Sequence, residues 1–239
     1  RSAQKRHHPR RCQPYHACHA TRPFPSSGGV INRTSMWLLY QFPLCPFSRK
    51  VRLLLAWLGI AYRYVDLDIF GGASRTPEFL ARNPIGRIPT LELDDGSHLA
   101  ESGAILYYLA EDTPYRPQNR LDRAEVLKWM FFEQYSHEPY IAVLRSWSRH
   151  GEITQQKRDQ WDEREAKGYE ALGIMEGRLT DHRFLVGGSP TIADIALFAY
   201  THVADQGGYD LARFPAVQAW IDRIKGLPGH VAIDAVLAG

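Results

Sequence analysis

From position 36 onward the hydrophobic positions follow two periods in turn. "MWLLY" (36–40) is a short apolar run that reads as a buried strand. Phe47, Val51, Leu54, Leu55 and Leu58 then recur at helical spacing, and Gly59 stops that helix. "AYRYVDLD" predicts a second strand, and "TPEFLARN" a short helix closed by Asn83-Pro84. "IPTLEL" and "SHLAE" predict a hairpin around Asp94-Asp95-Gly96, followed by a helix in "SGAILYYLAE". Beyond the proline-bearing "DTPYRPQNR" nothing reads as strand. Two long helical stretches cover roughly 121–147 and 154–179, and "SPTIADIALFAYTHVA" opens a buried helix. There Thr191 and Asp194 form a capping box, and Ile192, Ile195, Ala196, Ala199 and Val203 line one face.

This order, βαβ followed by ββα and then helices alone, predicts an α/β thioredoxin-like N-terminal domain joined to an all-α C-terminal domain. The boundaries expected are 36–112 for the first, 113–120 for the linker and 121–239 for the second.

Composition changes the picture only at the N-terminus. Residues 1–35 hold seven of the 29 Lys and Arg residues and no acidic one, which leaves 22 basic against 26 acidic residues in the body. The overall charge of +3 thus becomes −4, and a mildly acidic body gives no electrostatic reason to expect nucleic-acid binding. The leader is rich in Pro, Arg, His and Ser without a hydrophobic period, so it is expected to be disordered and outside the fold. Its lack of acidic residues resembles an organellar transit peptide, but the chain does not begin with Met, and Met36 directly precedes the first strand. The segment is therefore read as sequence upstream of the domain. Cys12, His16, Cys18 and His19 fit no closed four-ligand zinc spacing, and the Asn32 sequon has no secretory signal to give it meaning. No metal is expected. Cys45 is alone in the body, which suits a reducing, cytoplasmic compartment, and no apolar run approaches the ~20 residues that span a bilayer.

Three motifs, "PEFLARNPIGRIPTLELDDG", "LAESGAILYYLAE" and "GGSPTIADIALFAY", occur in an order and spacing that resemble the cytosolic glutathione transferase family from Met36 to the C-terminus. The combination is similar to bacterial members, and the cysteine that begins "CPFSRKVR" is similar to the reactive cysteine of the omega class. Tau and zeta members carry serine there. The resemblance implies glutathione as co-substrate and a homodimer. It also implies a small hydrophobic electrophile or a disulfide as second substrate, and a part in detoxification.

Site residues follow from that resemblance. Ile88-Pro89, if cis, would turn the Ile88 amide and carbonyl toward glutathione's cysteinyl part, in strand fashion. Ser102 at a helix start would hold the γ-glutamyl carboxylate, with Glu101 meeting the ammonium, although helix capping alone would account for Ser102. Arg75, Thr76 or Arg87 would meet the glycyl carboxylate. Phe132, Tyr135, His137 and Tyr140 in "WMFFEQYSHEPY" are candidates for an electrophile pocket, though an aromatic-rich helix also serves as core.

For the chemistry, Cys45 and Ser48 compete. At the start of a helix Cys45 is expected to be an acidic thiol, in the range of ~3.5–7.5, and to form a mixed disulfide with glutathione. The alternative is conjugation of glutathione to an electrophile, with Ser48 or Cys45 activating the thiol. A non-catalytic binding or regulatory protein of the same fold is the third reading.

Overall fold

The computed structural model describes residues 37–232, together with the backbone of 16–18. The strands are β1 (His16–Cys18), β2 (Leu38–Gln41), β3 (Tyr62–Asp66), β4 (Thr90–Glu92) and β5 (His98–Ala100). They form a mixed sheet in the order β1-β3-β2-β4-β5, in which β2 and β3 are parallel and the other neighbouring pairs antiparallel. The N-terminal helices are α1 (Pro46–Leu58), α2 (Pro77–Arg82) and α3 (Ser102–Leu109). Helix α1 is the crossover between the parallel pair, as a βαβ unit requires.

Strand β2 shows why the sheet has two covered faces. Leu39 joins the main core with Val51 and Leu54 of α1 and Ile105 and Leu106 of α3. Leu38 and Tyr40 point the other way and pack with Phe79 of α2. Burial on both faces explains why "MWLLY" is a continuous apolar run and not an alternating one. Helix α1 ends as expected, with Gly59 at φ 66° satisfying the last turn.

The leader differs from expectation at one place. His16–Cys18 adds to the sheet as an edge strand, in register with Tyr62–Tyr64 of β3. Edge pairing uses backbone groups only, so it needs none of the hydrophobic pattern the leader lacks. The rest of the segment, with Cys12, His19 and Asn32, lies outside the described residues.

The second domain is helical: α4 (Arg120–Phe132), α5 (Glu138–Arg149), α6 (Gln155–Asp159), α7 (Trp161–Asp181), α8 (Ile192–Thr201) and α9 (Pro215–Lys225). The stretch expected as one helix over 121–147 is interrupted by a π-helical turn at Glu133–His137. Pro139 explains the break, since it removes a ladder donor just where α5 begins. The capping box on α8 is present, but the helix ends at Thr201, before Val203. Both domains share one core, in which α1 packs against α3 on one side and α8 on the other. Between α3 and α4, Tyr115 stacks on Trp57 at 5.3 Å and its carbonyl accepts the Ile192 amide at 3.0 Å. Among the described residues, no helix is long and apolar enough to cross a membrane.

Candidate active site

The sheet register brings the predicted residues to one edge. Tyr40 of β2 faces Thr90 of β4, and Thr90 faces Ala100 of β5. The chain leaves β2 at that row toward Cys45, enters β4 from Ile88-Pro89, and leaves β5 into Glu101-Ser102. Three separated segments therefore meet because β2 and β5 end, and β4 begins, at the same edge.

Ile88-Pro89 is a cis peptide. Pro89 is buried while Ile88 is partly exposed, and neither its amide nor its carbonyl takes part in a backbone hydrogen bond among the described residues. Those groups are what an incoming extended peptide would need. Glu101 has φ 67° and ψ 115°, a conformation unusual for a residue with a side chain, and its own side chain makes no cap bond. Such strain is kept where it serves a site. Ser102 is buried as the first residue of α3, so the cap position belongs to Glu101 and helix capping does not account for the serine. The amides of that first turn have no partner within the helix, as at any helix start. No sequence pattern signals the positive φ of Glu101.

The arginine and threonine candidates are placed differently. Arg75 is exposed and donates to the Ile85 carbonyl at 2.8 Å, across Gly86, where a Cβ would lie 2.8 Å from the Ser74 carbonyl oxygen. Thr76 caps α2 by accepting from the Phe79 amide at 3.3 Å. Arg87 is exposed, and its charge acts on Glu138 across the domain interface.

Cys45 is the N-cap of α1 in extended backbone, followed by Pro46, whose missing N–H costs nothing there. It is partly exposed, whereas Ser48 is fully buried. The Ser48 hydroxyl and the Ser48 and Phe47 amides act in the direction that favours a charge on the Cys45 sulfur, although the Cys45 side chain makes no cap hydrogen bond. The Ser48 hydroxyl also receives the Phe42 amide at the long distance of 3.5 Å. Burial pushes the Cys45 thiol above its usual value, and the Ser48 and Phe47 donors and the Lys50 charge offset that only in part. The expectation of an acidic thiol is corrected accordingly. The helix N-terminus acts in the expected direction, but the dense surroundings outweigh it. The alkylation rate of Cys45 is thus expected to rise through the alkaline range, with a midpoint at or above the ~8.5 of a free thiol. A midpoint below neutrality would show that the donors win.

The four aromatic-stretch candidates do not converge. Phe132 packs edge-on against Trp129 at 5.3 Å, and Tyr135 is 83% exposed. Tyr140 is partly buried beside Lys167. His137 is fully buried with Nε2 2.9 Å from the Thr201 hydroxyl. That hydroxyl donates to the Leu197 carbonyl, so Nε2 carries the proton. Burial first, and then the Lys50 charge, hold the ring neutral with a pKa of about 3.

Residues the sequence did not single out interact with Cys45 or with the segments beside it. Tyr200 of α8 meets Phe47 edge-on at 5.1 Å, and both Tyr200 and the buried Arg145 of α5 interact electrostatically with Cys45. Phe42 contacts Phe70 at 5.6 Å, and Phe70 reaches His150 of the helical domain at 5.1 Å. No local motif marks these residues; Tyr200 reads simply as part of a buried apolar helix.

Similarity to known proteins fits this geometry. Residues 39–117 match the glutathione S-transferase N-terminal domain and 125–228 the C-terminal domain. The chain is 33% identical over 196 residues to a maleylacetoacetate isomerase of Rhizobium meliloti (strain 1021), covering 80% of this chain and 92% of the relative. To the disulfide-bond oxidoreductase YfcG of Escherichia coli (strain K12) it is 30% identical over 208 residues, covering 83% and 95%. Among solved structures, a glutathione S-transferase from Pseudomonas fluorescens Pf-5 superposes with a TM-score of 0.81 at 45% identity, over 83% of this chain and 98% of that one. Ure2p in complex with glutathione superposes at 0.75 with 26% identity, over 81% and 96%. The two matched domains, a relative aligned over nearly its whole length, and a sheet edge that gathers Cys45, Ile88-Pro89 and Glu101-Ser102 establish that this chain belongs to the glutathione S-transferase family.

Proposed function

We propose that this protein is a glutathione-dependent thiol transferase acting on small disulfides, with Cys45 as the attacking group. The observation that carries the reading is the difference in exposure at the start of α1: Cys45 is partly exposed, while Ser48, which favours a charge on its sulfur, is fully buried. A serine so placed reaches no substrate but supports a sulfur anion. The disulfide-bond oxidoreductase among the relatives agrees in reaction class.

In the first step the Cys45 thiolate attacks the glutathionyl sulfur of a mixed disulfide RS–SG. A Cys45–SG bond forms, the RS–S bond breaks, and RS⁻ takes up a proton as RSH. A second glutathione thiolate then attacks the bound glutathionyl sulfur, releasing glutathione disulfide and the Cys45 thiolate. Ile88, Glu101 and Ser102 would hold the glutathionyl group during both steps. The raised thiol pKa limits the anion present at neutral pH, yet makes that anion a stronger nucleophile.

One observation favours a second reading. A Cys45 that stays protonated at neutral pH can donate to glutathione's own thiolate, which would then attack a hydrophobic electrophile among Phe42, Phe47, Phe70 and Tyr200. Incubation with glutathione disulfide, followed by mass spectrometry of the Cys45 peptide, separates the two. A glutathionyl adduct on Cys45 is expected. An unmodified Cys45 in a protein that conjugates glutathione to an aryl halide would favour the second reading. Turnover of neither substrate would leave a binding or regulatory protein, which glutathione affinity alone would not distinguish.

A further inference from the structure

Helix α1 turns a charged segment, "RKVR", into the interior. Arg49, Lys50 and Arg52 are each about 1% exposed. Arg49 donates to the Val231 carbonyl and Arg52 to the Pro43 carbonyl, interactions that anchor chain segments. Lys50 does something different. Its Nζ lies 2.8 Å from Glu133 Oε1, and both side chains are shut away from solvent at 1% and 2%. Glu133 belongs to the π-helical turn, so the pair joins the two domains. The same ammonium lies over the Phe47 ring at 4.7 Å and the Tyr200 ring at 5.8 Å.

A buried ion pair is a poor device for stability, because desolvation consumes most of the Coulomb gain and an apolar pair of equal volume does as well. Its ammonium is held over the ring of Phe47, two residues beyond Cys45, and that placement suggests what it does instead. We propose that Lys50, fixed by Glu133, is a positioning residue for Cys45: its buried ammonium sets how readily the Cys45 sulfur carries negative charge. The proposal rests on the reading of Cys45 as the reacting group.

The charges around Cys45 come from every element that packs there. Lys50 of the same helix, Arg145 of α5 and Tyr200 of α8 interact with Cys45 itself; Glu133 of the π turn and Glu138 of α5 act on Lys50 and Tyr200, with Arg87 beyond Glu138. His137, in the same turn, is neutral. Glu138 is itself pushed up to about 7 by burial and by the Glu133 charge. Lys50 and Arg145 are thus the cations favouring a Cys45 anion, and Glu133 tempers the first of them. Removing Glu133's charge should make the anion easier to form, and removing the whole pair should make it harder.

The test is the pH dependence of Cys45 alkylation by iodoacetamide in the full-length chain, read on the Cys45 peptide so that Cys12 and Cys18 do not interfere. Glu133→Gln keeps the shape and hydrogen bonding of the turn, and is expected to lower the alkylation midpoint by about half a pH unit or more. The double variant Lys50→Met/Glu133→Leu leaves no unpaired charge and is expected to raise it, while Lys50→Arg should stay near the parent. Shifts of opposite sign in the first two variants support the proposal; unchanged midpoints, or shifts of one sign, overturn it. Thiol transfer that survives Cys45→Ser would instead overturn the role of Cys45, whatever the midpoints show.

Discussion

Replacing Cys45 with serine is expected to abolish thiol transfer, a loss on the order of 100-fold or more, because the hydroxyl is far too weak an acid to supply an attacking anion at neutral pH. Its effect on conjugation should be the opposite or nil. A serine hydroxyl at the N-cap can still donate to glutathione's thiolate, and it does so without the competing negative charge of a sulfur anion. The buried partner gives the control. Ser48→Ala removes one donor to the Cys45 sulfur and should cost about 1 kcal/mol of stability, with thiol transfer reduced only a few-fold. Assays of both variants for disulfide reduction and for conjugation with an aryl halide check this. Thiol transfer retained in Cys45→Ser and conjugation lost in Ser48→Ala would exchange the roles of the two residues.

Asp194→Ala is expected to lower stability by about 3–5 kcal/mol, and the melting temperature by about 10 °C or more. The carboxylate is fully buried and accepts four hydrogen bonds. Oδ1 takes the Leu185 amide at 2.9 Å and the Trp220 indole N–H at 3.0 Å. Oδ2 takes the Thr191 amide at 2.8 Å and the Thr191 hydroxyl at 3.0 Å. Alanine would leave all of these donors in the core with no acceptor, and an unmade buried hydrogen bond costs more than a made one contributes. The same cluster ties the start of α8 to the segment before it and to α9, so its loss should unfold the helical domain cooperatively. Thermal unfolding of the variant is the measurement, and a loss below 1 kcal/mol would mean that the cluster is dispensable.

Asp194 also marks how far local pattern reaches. Its pairing with Thr191 was legible because a capping box is a contact between residues three apart. The bonds to Leu185 and Trp220 were not, since they join segments the local pattern leaves independent. The same boundary runs through the candidate site. Cys45 at a strand-to-helix junction, the cis Ile88-Pro89 and the helix start at Ser102 were readable from adjacent residues and from the motifs around them. Tyr200 and Arg145 were invisible, because they reach Cys45 from helices more than a hundred and exactly one hundred positions later in the chain, respectively. In the aromatic stretch 129–140 the placement of single side chains was likewise beyond local pattern: across the π turn Tyr135 meets solvent and His137 the core.

By itself, then, the sequence determined the quantities that depend on near neighbours. These are the strand and helix periods, the stop at Gly59, the capping of α8 and the division into an α/β and a helical part. Hydrophobic periodicity and capping act within a few residues, and no distant partner is needed to express them. Only the tertiary structure decided what depends on dielectric and on charge at a distance. It closed the Lys50–Glu133 pair across two domains, buried Ser48 while leaving Cys45 partly exposed, and raised the Cys45 thiol where the helix start alone would have lowered it. A thiol's acidity is set by the balance between donors and desolvation, and desolvation is a property of everything packed around the sulfur, wherever along the chain it comes from.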